Sequence, residues 1–437
     1  MHVKTDPTMN RRLQDAASAS RERPVWLRIG QVIDGFSEKP LRHADVVLDA
    51  QEIRFVGHGP DRGMLAEGQT TPDVELREAT LLPCLIEAHA HLFLDGAPVA
   101  MAPREKYLKE SAAWMLARGR ARWPKILQCG VGAVRDAGDK HGVGLQLAAE
   151  AKSQNGKLRN TPWIDSPGAA IHHRGRYGAF MGEPIEDHAS PAACVASRVA
   201  KGADRIKLLV SGIINFKVGQ VTVPPQMPVE EVRALVEAAR ARGRQTFAHA
   251  SGTDGVENSI QGGVNTVEHG FFITESQLAR MRDRGIAWVP TFAPVQLQID
   301  RAQDLGWSSE IIGHLEQIIE GHQRMLQRAH QMGVTVVAGS DAGSCGVPHG
   351  VGLLQEMEQI QRAGLPAMAV IRSATGMSAK VLDFPEKIGR IEAGHRARFI
   401  VTAHDPLANI GNLQKQKVVV FDGNAMECPA DLDTEGL

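Results

Sequence analysis

Apolar and polar positions along the chain fall into two textures. Trp26-Leu27-Arg28-Ile29, Asp45-Val46-Val47-Leu48 and Ile53-Arg54-Phe55-Val56 are short strand-like stretches punctuated by Gly35 and Gly57. That texture returns in Ile388-Gly389-Arg390-Ile391, Ala397-Arg398-Phe399-Ile400-Val401 and Lys417-Val418-Val419-Val420-Phe421, with Asp422-Gly423 as a turn. These two ends predict one small β-sandwich domain assembled from residues 24–76 and 388–430. Residues 1–23 interleave Lys, Arg, Asp and Ser, which predicts a poorly packed N-terminal extension or an oligomer arm.

Between the ends, residues 77–387 alternate β-branched strands with amphipathic helices, the pattern of parallel βα units. Residues 228–242 are one predicted helix: Val229, Val232, Leu235 and Val236 make an apolar face and Gly243 ends it. Three strands run straight into polar side chains: Gln245-Thr246-Phe247-Ala248 into His249, Asn265-Thr266-Val267-Glu268 into His269, and Val334-Thr335-Val336-Val337-Ala338-Gly339-Ser340 into Asp341. The expected fold class is α/β, a TIM-type (β/α)8 barrel carrying the small β-sandwich. In such a barrel the C-terminal strand ends share one face, where function sits.

A fourth strand-like run, Leu81-Leu82-Pro83-Cys84-Leu85-Ile86-Glu87-Ala88, ends in His89-Ala90-His91. Side chains two apart on a strand point the same way, so both imidazoles can reach one metal ion. Taken singly, His249 or His269 reads as a hydrogen-bonded loop residue and Asp341 as a helix N-cap. Together, at the ends of their own strands, they are candidate metal ligands. In Arg205-Ile206-Lys207-Leu208-Leu209-Val210 the alternation sends Ile206, Leu208 and Val210 outward and Lys207 inward, where an unpaired ammonium is expensive to desolvate. Either a carboxylate offsets it, or the neutral amine adds carbon dioxide and becomes a carbamate, an anionic oxygen ligand able to bridge two cations.

Charge is nearly balanced, with 49 Lys and Arg against 50 Asp and Glu, which points away from nucleic acid and membrane surfaces as partners. Cys84, Cys129, Cys194, Cys345 and Cys428 lack paired spacing, as expected of reduced thiols. No apolar segment precedes Val25 and none approaches a membrane span. A soluble cytoplasmic protein acting on a small-molecule substrate, and assembled as a homo-oligomer, is the expectation.

The ordered set Leu82-Pro83-Cys84-Leu85-Ile86-Glu87-Ala88-His89-Ala90-His91, Gly130-Val131-Gly132-Ala133-Val134-Arg135-Asp136, Lys207, Ala248-His249-Ala250, Glu268-His269-Gly270, Gly339-Ser340-Asp341-Ala342-Gly343 and Ile388-Gly389-Arg390-Ile391-Glu392-Ala393-Gly394 resembles the amidohydrolase superfamily. The match is to its binuclear members with a carboxylated lysine, in the imidazolonepropionase-like and prolidase-like branch. The resemblance implies two divalent metal ions, zinc by the nature of the ligands. His89, His91 and Asp341 would hold the more buried ion and His249 and His269 the more exposed one, with a carbamate on Lys207 and a hydroxide bridging both. Asp341 would shuttle the proton from the attacking hydroxide to the leaving amine. Cys84 stands where the family usually has Gly, and Ser211-Gly212-Ile213-Ile214-Asn215-Phe216 lacks a second Gly common in prolidase-like members.

In the loop after the third strand, Ile171-His172-His173-Arg174-Gly175-Arg176-Tyr177 replaces the family's Gly-Gly-His stretch. His173 aligns with the substrate-polarising histidine and is expected to be catalytic, with His172 as the alternative. Arg174, Arg176, Tyr177 and His349 are the expected substrate contacts, since a guanidinium fork suits a carboxylate. The expected activity is metal-dependent hydrolysis of an amide-like C–N bond in an N-acyl amino acid, dipeptide or aryl amide. The alternatives are a carbamate or urea hydrolase, or a deaminase or cyclic-amide ring hydrolase, whose one-metal members generally lack a lysine at this place.

Overall fold

The computed structural model describes residues 8–153 and 161–429, so residues 1–7 of the extension and residue 430 lie outside the described residues. The strands are, in order, β1 (Val25–Val32), β2 (Leu41–Leu48), β3 (Ile53–Gly57), β4 (Val74–Pro83), β5 (Leu85–Ala90) and β6 (Val131–Asp136). Next come β7 (Trp163–Asp165), β8 (Ala170–His172), β9 (Gly182–Pro184), β10 (Ile206–Leu209) and β11 (Thr246–Ala250). The last are β12 (Thr266–His269), β13 (Ala287–Val289), β14 (Arg398–Thr402), β15 (Lys417–Phe421) and β16 (Asn424–Cys428).

The two chain ends meet in one seven-stranded sheet of order β16-β15-β14-β4-β1-β2-β3. Their junction is the antiparallel pairing of β14 with β4, Phe399 opposite Pro83. Asp422 and Gly423 both take positive φ and join β15 to β16 with Phe421 opposite Asn424, the two-residue turn whose twist suits a hairpin. One face of the sheet buries Leu27, Ile29, Val46, Leu81, Phe399 and Val401 together with Met9, Leu13, Ala16 and Ala17 of a helix at Met9–Ala19. The expected loose lead-in is therefore a packed helix over this length, because those four positions share one helical face. Residues 388–391, expected as a strand, are irregular. Ile391 leaves the ladder to donate its N–H to the Asp34 carbonyl at 3.0 Å, and its side chain joins the same core.

The middle of the chain is α/β, as its alternating texture implies. Parallel strands form a six-stranded sheet, β13-β12-β11-β10-β8-β9, and a three-stranded one, β5-β6-β7. Residues 334–340, expected as a regular strand, pair instead by a single bridge, Val336 with Trp288 of β13, while Ala342 beyond them pairs with Ala90 of β5. Ala88 donates its N–H to Ala338 at 3.1 Å and Asp341 donates to His89 at 2.7 Å. This segment joins the two parallel sheets and brings Asp341 beside the end of β5. The helix at Val229–Arg240 buries Val232, Leu235 and Val236, and Gly243 follows in the left-handed region. Among the described residues no helix is long and apolar enough to cross a membrane.

Candidate active site

Alternation along the strands carries polar side chains into the dry interior. Lys207 of β10, only 2 % exposed, lies with its Nζ 3.5 Å from His89 Nε2 and 4.7 Å from the centre of the Phe247 ring. Phe247 and His249 share one face of β11, as Thr266 and Glu268 share one face of β12. His269 would point away from Glu268 in a regular strand. Its φ of 67° turns the backbone out of the extended region, so its ring lies 5.1 Å from that of His89 and 4.5 Å from that of His249. Asp341 also takes a positive φ, 57°. Non-glycine residues adopt this conformation at a cost, and such positions cluster at functional sites.

Each of the four histidines is held from outside by one ring nitrogen. His89 donates Nδ1–H to Glu268 at 2.6 Å, and His91 donates Nδ1–H to the Gly138 carbonyl at 3.1 Å. His249 donates Nε2–H to the Gly212 carbonyl at 3.2 Å, while His269 Nδ1 bonds the Thr291 hydroxyl at 2.8 Å. The opposite nitrogen of each ring is left for the interior. The Nε2 atoms of His89 and His91 both sit 3.6 Å from Asp341 Oδ1, a buried oxygen without a hydrogen-bond partner. Ligand atoms of His89, His269 and Asp341 lie within 4.8 Å of one another. Neutral imidazoles around an unsatisfied carboxylate oxygen are a fitting donor set for a divalent cation.

Charge in this space is balanced at a distance. No described carboxylate lies within ion-pair reach of Lys207, so the ordinary compensation for a buried ammonium is absent. Burial pulls Lys207 down to about 8, opposed by the field of Glu268. Burial, then the Lys207 charge, holds His91 and His249 down at about 3 and His89 well below its usual range; His269 is also far down, from burial and then its histidine neighbours. Asp341 is pushed up to about 6 by burial, against the pull of Lys207 and, more weakly, Arg104. The four rings are neutral, the form that ligates.

Sequence reasoning passed over the groups behind these ligands. Glu268 accepts from Arg135 Nη2 at 2.8 Å as well as from His89, while Arg135 also donates to the Ala88 carbonyl at 2.6 Å and Thr266 Oγ1 at 2.9 Å. Glu87, pushed up to about 7 by burial, accepts from the His89 and Ser340 N–H groups at 3.0 and 2.9 Å and from the Ser340 hydroxyl at 2.5 Å. It pins β5 to the segment bearing Asp341. The signal was available: Glu87, Arg135 and Glu268 are charged residues at inward positions of apolar strands, as Lys207 is.

The ligand set forms the floor of a cavity of about 730 Å³ whose walls are mostly apolar, among them Leu94, Leu108, Phe180, Phe216, Phe271 and Trp307. Of the expected substrate contacts only Tyr177 lines it, half-buried with its ring 5.1 Å from that of His249. The structure does not bring His173 there: both ring nitrogens are taken by carboxylates, Glu186 at 2.8 Å and Glu231 at 2.7 Å. Arg174 pairs with Asp187 at the surface, and Arg176 donates to the Pro224 carbonyl at 2.6 Å. His172 is buried behind the wall and donates Nδ1–H to the His173 carbonyl at 2.7 Å. His349 donates Nε2–H to the His91 carbonyl at 3.1 Å, so it supports a ligand's backbone from outside the cavity.

The amidohydrolase family profile matches residues 80–426, and the chain belongs to that family of hydrolases. Ochratoxinase of Aspergillus niger is 26% identical over 448 residues, spanning 94% of this chain and 88% of the fungal one. A Xaa-Pro dipeptidase solved with methionine in its active site superposes with a TM-score of 0.77 at 28% identity, covering 92% of this chain and all of the other (100%). The crystal structure of A. niger ochratoxinase has the same fold, with a TM-score of 0.73 at 22% identity over 92% of this chain and 95% of its own.

Glu268→Gln removes the charge that orients His89 and balances Arg135. Metal affinity is expected to fall about 10–100-fold, measured by competition with a chelator of known affinity; unchanged affinity would show that Glu268 does not position His89.

Proposed function

We propose that the protein hydrolyses an amide-like C–N bond of a small molecule with a large apolar body, in the class of N-acyl amino acids, dipeptides or aryl amides. The observation that carries this reading is the convergence of His89, His91, Lys207, His249, His269 and Asp341 on the floor of a largely apolar cavity. Similarity to a Xaa-Pro dipeptidase and to ochratoxinase supports it. In the finer architecture of this reading, residues 77–387 form a (β/α)8 barrel. Residues 24–76 and 388–430 are read as a β-sandwich domain, to which β4 adds residues as far as Pro83, and 1–23 as an extension whose helix at Met9–Ala19 covers it. The bridges that tie Val336 to Trp288 and Ala342 to Ala90 support closure of the barrel.

His89, His91 and Asp341 would hold one divalent ion and His249 and His269 a second, zinc being suited to imidazole and carboxylate ligands. Such ions lower the pKa of water and polarise a carbonyl. A carbamate on Lys207 would serve both, and its depressed pKa favours the neutral amine that adds carbon dioxide. Asp341 takes the proton of the attacking water and delivers it to the leaving nitrogen, a role open to a carboxyl raised by burial. Tyr177, whose ring lies beside that of His249, is our candidate for a hydroxyl contact to the substrate. We place the protein in the cytoplasm as a homo-oligomer, in keeping with its unpaired cysteines.

Zinc-loaded protein assayed against N-acyl amino acid, dipeptide, aryl amide and phenylurea libraries should cleave amides, and stripping with chelator should abolish turnover until metal is restored. Cleavage of ureas or carbamates alone would overturn the amide reading. Elemental analysis should give two ions per chain for the wild type, and Lys207→Ala should lose most of them; full metal content in that variant would exclude a bridging carbamate. Asp341→Asn is expected to lower turnover by at least about 10²–10⁴-fold, with circular dichroism unchanged. Near-normal turnover would move the proton shuttle to another group.

A further inference from the structure

The residues expected to hold a substrate carboxylate, Arg174 and Arg176, are exposed and do not line the cavity, which leaves its positive charge to another side chain. Arg104, on the helix at Met101–Tyr107, lines the cavity. Among the lining residues it and Lys207 are the only lysine or arginine, and Lys207 belongs to the ligand set. The Arg104 guanidinium donates Nη1–H to the carbonyl of Gly343, two residues beyond Asp341. No described carboxylate lies within ion-pair reach of it. A half-buried guanidinium with one donor fixed by a backbone carbonyl keeps its other donors, in a planar fork, for an acceptor from the cavity.

We infer that Arg104 is the specificity-determining anchor for a carboxylate on the substrate, so that the protein prefers amides carrying an anionic group beside a large apolar one. This rests on the hydrolase reading above and narrows it. The Gly343 bond holds the guanidinium against the loop that bears Asp341, so an anchored carboxylate has a fixed offset from the proton-carrying group. The apolar remainder of the substrate meets Phe180, Ile214 and Phe216, contributed by the loops after β8 and β10. Binding of a charged group by a preset fork contributes mainly to ground-state affinity, so its loss appears in KM.

The test compares N-benzoyl-L-phenylalanine with N-(2-phenylethyl)benzamide, which differ only by the carboxylate, on metal-loaded wild type, Arg104→Gln, Arg104→Met and Arg104→Lys. Arg104→Gln keeps a donor for Gly343 without the charge and so separates anchoring from tethering of the loop. The ratio of kcat/KM for the acid over the uncharged amide should fall about 10–100-fold in Arg104→Gln and Arg104→Met, chiefly through KM, and recover partly in Arg104→Lys. An unchanged ratio in Arg104→Gln overturns the anchor, and so does an equal loss on both substrates, which marks a tether. Calorimetric binding of the same pair reads the ratio without turnover. If wild type cleaves neither compound, preferential binding of the acid through Arg104 still supports the anchor, while the libraries above decide the hydrolase reading separately; binding with no such preference rejects the anchor.

Discussion

Glu268 sits where the dry interior would otherwise be unworkable. The Arg135 guanidinium is fully enclosed among parallel strands beside the buried Lys207 amine, and burying a charge is costly unless it is paired and hydrogen-bonded. One carboxylate bonds Arg135 at 2.8 Å and His89 at 2.6 Å and acts on Lys207 through space. Arg135 in turn stacks over the Phe247 ring at 4.4 Å, using the cation's attraction for an aromatic face. Because the same group fixes the tautomer of His89, the solvation problem and the ligand geometry have a single solution.

How far the site was legible follows from which residues sit on regular strands. His89, His249 and Lys207 could be placed because period-two alternation fixes their direction. His269 needed a backbone irregularity that no pattern announces: alternation alone sends it opposite to Glu268, and only φ of 67° brings both inward. The segment before Asp341 read as a strand from its β-branched residues, yet it is held by single bridges at either edge. Apolar texture reports burial there, not a continuous ladder.

Loops were less readable for a physical reason. The local sequence from His172 to Tyr177 suggests one active-face cluster, but the acceptors that turn His173 aside, Glu186 and Glu231, come from other elements and leave no trace in it. Arg104 was missed in the same way, since a short helix with Pro103 inside it gives no periodicity that aims a side chain. The family's ordered motifs cover strand ends and are silent about the apolar walls that shape what enters.

The sheet shared by the two chain ends has a consequence for how the molecule is made. β4 is near the start of the chain and its partner β14 near the end, so their pairing closes a loop of roughly 300 residues. During synthesis the parallel strands from β5 to β13 emerge and can associate before β14 exists. Until then β4 presents an unpaired edge beside β5, a template for another chain. Emergence of β14 from the ribosome is therefore the event that covers this edge, and a premature stop before β14 would leave it open to aggregation.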